Sequence, residues 1–114
     1  FNTKLGFMPT SMKQQDVLGQ DTLYGATLTY AVFGRKVLTD EQVLAHYRTS
    51  EKVKSPYGLR VISKADGSLL PGHNGTYCYG GSWFFCDSGN YLLAGVHGLP
   101  AAEVDARLIE RVKL

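Results

Sequence analysis

The sequence predicts a mainly α-helical chain built as two copies of a helix pair, and three observations carry that prediction. Two stretches, residues 17–33 and 82–96, are apolar on nearly every helical face. Each is followed, after a glycine, by a stretch that is apolar on one side only. Between the copies runs a long connection rich in glycine and proline. A helix that is apolar all round must be enclosed by protein, whereas one with a single apolar stripe lies on an outer surface. The chain therefore reads as an inner and an outer helix over 17–53, a long loop over 54–79, and a second inner and outer helix over 80–114.

The first inner helix runs through Val17, Leu18, Leu23, Tyr24, Leu28, Tyr30, Val32 and Phe33. Gly34 ends it, because glycine takes the left-handed conformation that closes a helix at little cost. Thr39-Asp40-Glu41-Gln42 then has the spacing of a capping box for an outer helix from Asp40 to Lys52. Val43, Leu44 and Tyr47 mark its apolar side, with Glu41, Arg48 and Glu51 elsewhere. Within the connection, Leu59-Arg60-Val61-Ile62-Ser63 alternates as a short strand and Ala65-Asp66-Gly67-Ser68 is a turn, so a small β-hairpin is expected there. The second inner helix runs from Ser82 to Val96, although Asp87-Ser88-Gly89-Asn90 also suits a turn between two short strands. Gly98 stops it, and Pro100 suits the first turn of the last helix. There Ala101, Val104, Leu108 and Val112 form a stripe opposite Glu103, Arg107, Glu110 and Arg111.

Composition narrows the classes of function. With 44% hydrophobic residues, 19% charged residues and a net charge of +2 over 114 residues, the chain can bury a core and offers no basic stripe for nucleic acid. Cys78 and Cys86 make neither a disulfide framework nor a metal set, so no metal or other cofactor is expected. The apolar stretches are too broken for a membrane span, and a soluble protein is expected. Beginning at Phe1 without methionine, the chain reads as a trimmed product or an excised piece. Two helix pairs cannot enclose two all-round apolar helices. Either further helix pairs of a larger helical toroid or other copies of the chain are expected to cover them.

Tyr77 to Asp87 is the densest candidate for a ligand surface, with paired glycines, a hydroxyl, the single tryptophan and four more aromatics in eleven positions. A sugar ring has apolar C–H faces and a rim of hydroxyls, and flat aromatics beside small polar groups answer both. Tyr77, Tyr79 and Trp83 are the stacking candidates, against core packing as the plain alternative. Gly80, Gly81 and Ser82 stand where a helix begins, so their N–H groups and the Ser82 hydroxyl suit an anion or sugar hydroxyls. His73 and Asn74 suit sugar hydroxyls or a turn, and Arg60 an acid, an anion or solvent. Asn74-Gly75-Thr76 also matches a glycosylation acceptor. Connectivity places the long loop and the starts of both inner helices at one end of the structure.

Leu23-Tyr24-Gly25-Ala26-Thr27-Leu28-Thr29-Tyr30, Ser55-Pro56-Tyr57-Gly58-Leu59-Arg60-Val61 and Tyr79-Gly80-Gly81-Ser82-Trp83 together resemble the late part of the catalytic domain in six-hairpin glycosidase-like proteins. That superfamily includes cellobiose phosphorylases and related bacterial glycoside hydrolases. The resemblance runs from about Val17 onward. It implies a fragment of an (α/α)6 toroid, with carbohydrate, phosphate and the remainder of the parent domain as partners, and a bacterial cytoplasmic or periplasmic setting. Tyr79 replaces the small polar residue usual before the glycines, which departs from the phosphate-binding pattern.

Glycoside cleavage needs one carboxylic acid to protonate the leaving oxygen and a second group to attack or to activate water. Asp16 and Asp21 read as helix-start residues, Asp66 as a turn residue, and Asp87 as a carboxylate inside an apolar helix that must find a partner. No residue is assigned as catalytic, and the general acid is expected upstream of this segment. The leading expectation is a piece of a glycoside hydrolase or phosphorylase, inactive alone, that forms part of the sugar-binding face. The alternative is a non-catalytic carbohydrate-binding or helical assembly module. His46 and His97 read as outer-helix and helix-end residues without metal-ligand or other ligand partners at useful spacing.

Overall fold

A computed structural model of the chain describes residues 1–56, 58–68, 70 and 84–113. Strand β1 (Val17–Gly19) leads through a 3-10 turn (Gln20–Leu23) into helix α1 (Tyr24–Phe33) and then α2 (Asp40–Lys52). Strand β2 (Ile62–Lys64), α3 (Phe84–Val96) and α4 (Ala101–Lys113) follow. The fold is mainly helical, with one small two-stranded sheet among the described residues.

Local chemistry explains most boundaries. Gly34 closes α1 in the left-handed conformation, with φ 64° and its N–H on the Tyr30 carbonyl. Both halves of the Thr39–Gln42 capping box form at the start of α2. Gly98, at φ 108°, ends α3, and the Pro100 carbonyl accepts from the Glu103 and Val104 N–H groups in the first turn of α4. Residues 87–90 are helical rather than a turn.

Two expectations at the strands are corrected. Val17–Gly19 is not the first turn of a helix but a strand, antiparallel to β2 in the register Val17↔Lys64, Leu18↔Ser63, Gly19↔Ile62. Pro9 bridges to Leu18 on the other side, and a Cβ on Gly19 would stand 2.6 Å from Thr10 Cγ2. Pairing on both sides supplies the tertiary contacts that override helical periodicity. The expected local hairpin is likewise absent among the described residues. The Ala65–Ser68 turn does form, with Asp66 Oδ1 accepting from the Ser68 N–H at 2.9 Å and Gly67 at φ 85°, but the partner of β2 is the distant β1.

Side-chain register gives the helix directions. Tyr24 meets Phe85 edge-on at 5.5 Å and Thr27 faces Gly89, so α1 and α3 run side by side in the same direction. Arg48–Glu103, Glu51–Arg107 and Lys54–Glu110 are successive ion pairs, so α2 and α4 are also mutually parallel. Asp40 meets His97 while Tyr47 meets Tyr91, which makes α2 antiparallel to α3. The result is two layers, α1 with α3 and α2 with α4, oppositely directed. Tyr47, Leu59, Tyr91, Ala94, Leu99 and Val104 form the core between the layers, with Leu23, Val43 and Leu93 beside it.

The two inner helices differ in cover. In α3, Cys86, Asp87, Asn90, Tyr91, Leu93 and Ala94 are buried. In α1 nothing is buried, and Val32 and Phe33 are 69% and 72% exposed. The enclosure expected from its apolar faces is thus not supplied by the described residues, because α1 packs along one side only, on α3 and the 3-10 turn. The stripe of α4 also runs past the core: Val104 is buried, while Ala101 and Val112 are exposed.

Candidate functional site

Parallel packing brings the starts of α1 and α3 to one end, where Tyr24 is 38% and Phe85 51% exposed. These two rings make an accessible aromatic step where α1 and α3 begin. Of the residues expected to bind ligand, Arg60 is described: its Nη1 donates to the Gly67 carbonyl at 2.8 Å, so it braces the turn. His73, Asn74, Tyr77, Tyr79, Gly80, Gly81, Ser82 and Trp83 lie outside the described residues, as does Cys78.

Behind the step lies a charged cluster. Asp87, in the first turn of α3, is fully buried, with Oδ2 2.9 Å from Arg111 Nε in the last turn of α4. A carboxylate without water needs such a cation to remain ionised. Gly58 packs against the pair, and a Cβ there would lie 2.8 Å from Asp87 Oδ2. Lys54, Gly58, Tyr91, Arg107, Glu110 and Arg111 line a cavity of about 10 Å³, which is about the room one water needs. Burial, and then the Asp87 carboxylate, raise the Tyr91 phenol well above its usual pKa. Tyr47, between α2 and α4, is pushed up to about 12 by burial and then by Glu51. Both phenols stay protonated at neutral pH. Tyr47 donates to Glu103 Oε1 at 3.2 Å.

The other acids have structural surroundings. Asp16 pairs with Lys64 across the sheet at 3.4 Å, Asp21 lies in the 3-10 turn, and Asp66 holds the Ser68 turn. Among the described residues no group of three His, Cys, Asp or Glu is placed to hold a metal ion, and no helix is long and apolar enough to cross a membrane.

Two histidines do more than their positions suggested. His46 is 1% exposed and its Nδ1 accepts the Met8 N–H at 3.1 Å. Burial lowers its pKa to about 4. The signal was present: Val43, His46, Tyr47 and Ser50 follow the i, i+3, i+4, i+7 spacing of a buried stripe. His97, buried at the end of α3, meets Asp40 Oδ1 at 2.7 Å. Lys36 first, and His97 second, hold the Asp40 carboxyl below its usual range. Nothing in the spacing of residues 40 and 97 announces that pair.

Comparison of the chain with protein-family models, with curated proteins and with solved structures finds no match in any of the three.

Proposed function

We propose that this chain supplies one side of the sugar-binding face of a carbohydrate-active enzyme of hydrolase or phosphorylase type, as part of an (α/α)6 arrangement. The observation that carries the reading is the shared end of α1 and α3. Two parallel inner helices start there together, with the exposed rings of Tyr24 and Phe85 in contact. Residues 79–83, with their glycines, hydroxyl and tryptophan, immediately precede α3 in the sequence. Aromatic faces beside helix-start N–H groups suit a sugar ring and its hydroxyls. Asp87 is committed to Arg111 and fully buried. The chain therefore holds substrate, and the cleaving acid belongs elsewhere.

Titration of the purified chain with cellobiose, glucose and inorganic phosphate, read by the fluorescence of Trp83, tests this. A saturable response that weakens in Phe85→Ala supports the reading, and no response to any of the three overturns a ligand face retained in this chain.

The exposed apolar side of α1 favours a second reading, a non-catalytic assembly module. It predicts concentration-dependent association and no sugar response.

A further inference from the structure

The connection leaving α2 and the start of α3 meet at one point, and α4 reaches across to it. Gly58 has φ 115°, a conformation that L side chains rarely adopt. A methyl there would stand 2.8 Å from Asp87 Oδ2 and 3.5 Å from Arg111 Cδ. Ser55 and Gly58 exchange backbone hydrogen bonds of 2.9 and 3.2 Å, which fixes the turn that presents Gly58 to the pair. The next residue, Leu59, is fully buried in the cluster with Tyr47 and Tyr91.

We infer that Asp87 and Arg111 are positioning residues: their ion pair clamps the connection at Gly58 and so fixes the path on which it leaves α2. The bearing of the pair on sugar rests on the function proposed above, whereas the clamp rests on geometry alone. The Asp87 carboxylate is fully buried, so loss of the Arg111 cation beside it raises the cost of keeping it ionised there. Neighbouring Glu51 and Arg107 pair at 3.0 Å between α2 and α4 and supply an internal control.

The test compares wild type, Asp87→Asn, Arg111→Lys and the control Arg107→Gln in the intact chain. Trypsin cleavage at Arg60 and Lys64 is mapped by mass spectrometry, and acrylamide quenching reports on Trp83. Cleavage tracks the population of the opened connection, so Asp87→Asn should be cut at least about tenfold faster. Arg111→Lys, which keeps the charge, should lie between it and wild type, and quenching should change in the same order. Arg107→Gln should lower the unfolding midpoint while leaving both readouts near wild type. Equal effects in Asp87→Asn and Arg107→Gln overturn the clamp, because the pair would then contribute only general stability. Should Asp87→Asn fail to fold by circular dichroism, Gly58→Ala keeps both charges and must open the same sites; if it does not, the clamp is overturned. A wild type deaf to sugar and phosphate, with the cleavage pattern as expected, sinks the proposed function and leaves the clamp standing. Unchanged ligand affinity in an opened variant overturns the positioning role.

Discussion

Acid should weaken this fold through His46, and the size of the effect follows from its surroundings. The imidazole is 1% exposed, and its Nδ1 accepts the Met8 N–H at 3.1 Å, which requires the neutral ring. Protonation would both charge a buried group and turn that acceptor into a donor facing a donor. Folded His46 therefore titrates at about 4 against an ordinary value of 6.5. A pKa depressed by folding means that the unfolded chain takes up the proton first. The stability conferred by the neutral ring is complete above pH 6.5 and is lost as the pH falls toward 4. At about 1.4 kcal/mol per unit, the loss comes to about 3 kcal/mol. That is a large share of the 5–15 kcal/mol typical of a domain. Urea unfolding at a series of pH values, for wild type and His46→Gln, isolates the effect, because the Gln carbonyl can still receive the Met8 N–H. The variant is expected to lack most of the wild-type decline between pH 6.5 and 4. Equal declines, or an NMR titration of the His46 ring near 6.5, would refute the reasoning.

Leu59→Ala should cost about 2–5 kcal/mol in urea unfolding, since the side chain is fully buried among Tyr47, Tyr91 and Val104. Thr39→Ala removes the hydroxyl that accepts the Gln42 N–H and should cost about 1 kcal/mol; a change within error would show that this arm of the box contributes little here. Val32→Glu places a charge on a residue that is 69% exposed. Stability should stay within about 0.5 kcal/mol, while any concentration-dependent sedimentation mediated by α1 should disappear; association that persists would exclude that face.

Periodicity and terminators made the helices legible. Gly34 and Thr39 act within a few residues of themselves, so the ends of α1 and α2 follow from the sequence. The β1–β2 pairing was not legible, because Val17 and Leu18 are as apolar as the helix they precede and their partners lie at 63 and 64. Apolarity announced that Leu28, Val32 and Phe33 want cover, but burial depends on what is present to cover them, and α1 lacks it among the described residues. At the candidate site, the need of Asp87 for a partner was readable from its apolar setting. That the partner is Arg111, from the outer face of the last helix, depends on how α4 crosses α3. The ligand-facing expectations for residues 73–83 lie outside the described residues, and Arg60 turns to a carbonyl in its own turn.

The β1–β2 ladder has a kinetic consequence. It ties residues 17–19 to residues 62–64, so α1 and α2 lie inside a closed loop of chain. Closing that loop costs chain entropy before the short ladder returns anything, whereas α2 and the α3–α4 hairpin can form from local contacts. Substitutions at Leu18 are therefore expected to speed unfolding and leave the refolding rate almost untouched, and those at Val104, between α3 and α4, to slow refolding. The β1–β2 sheet would then be the last part of the fold to assemble and the first to let go.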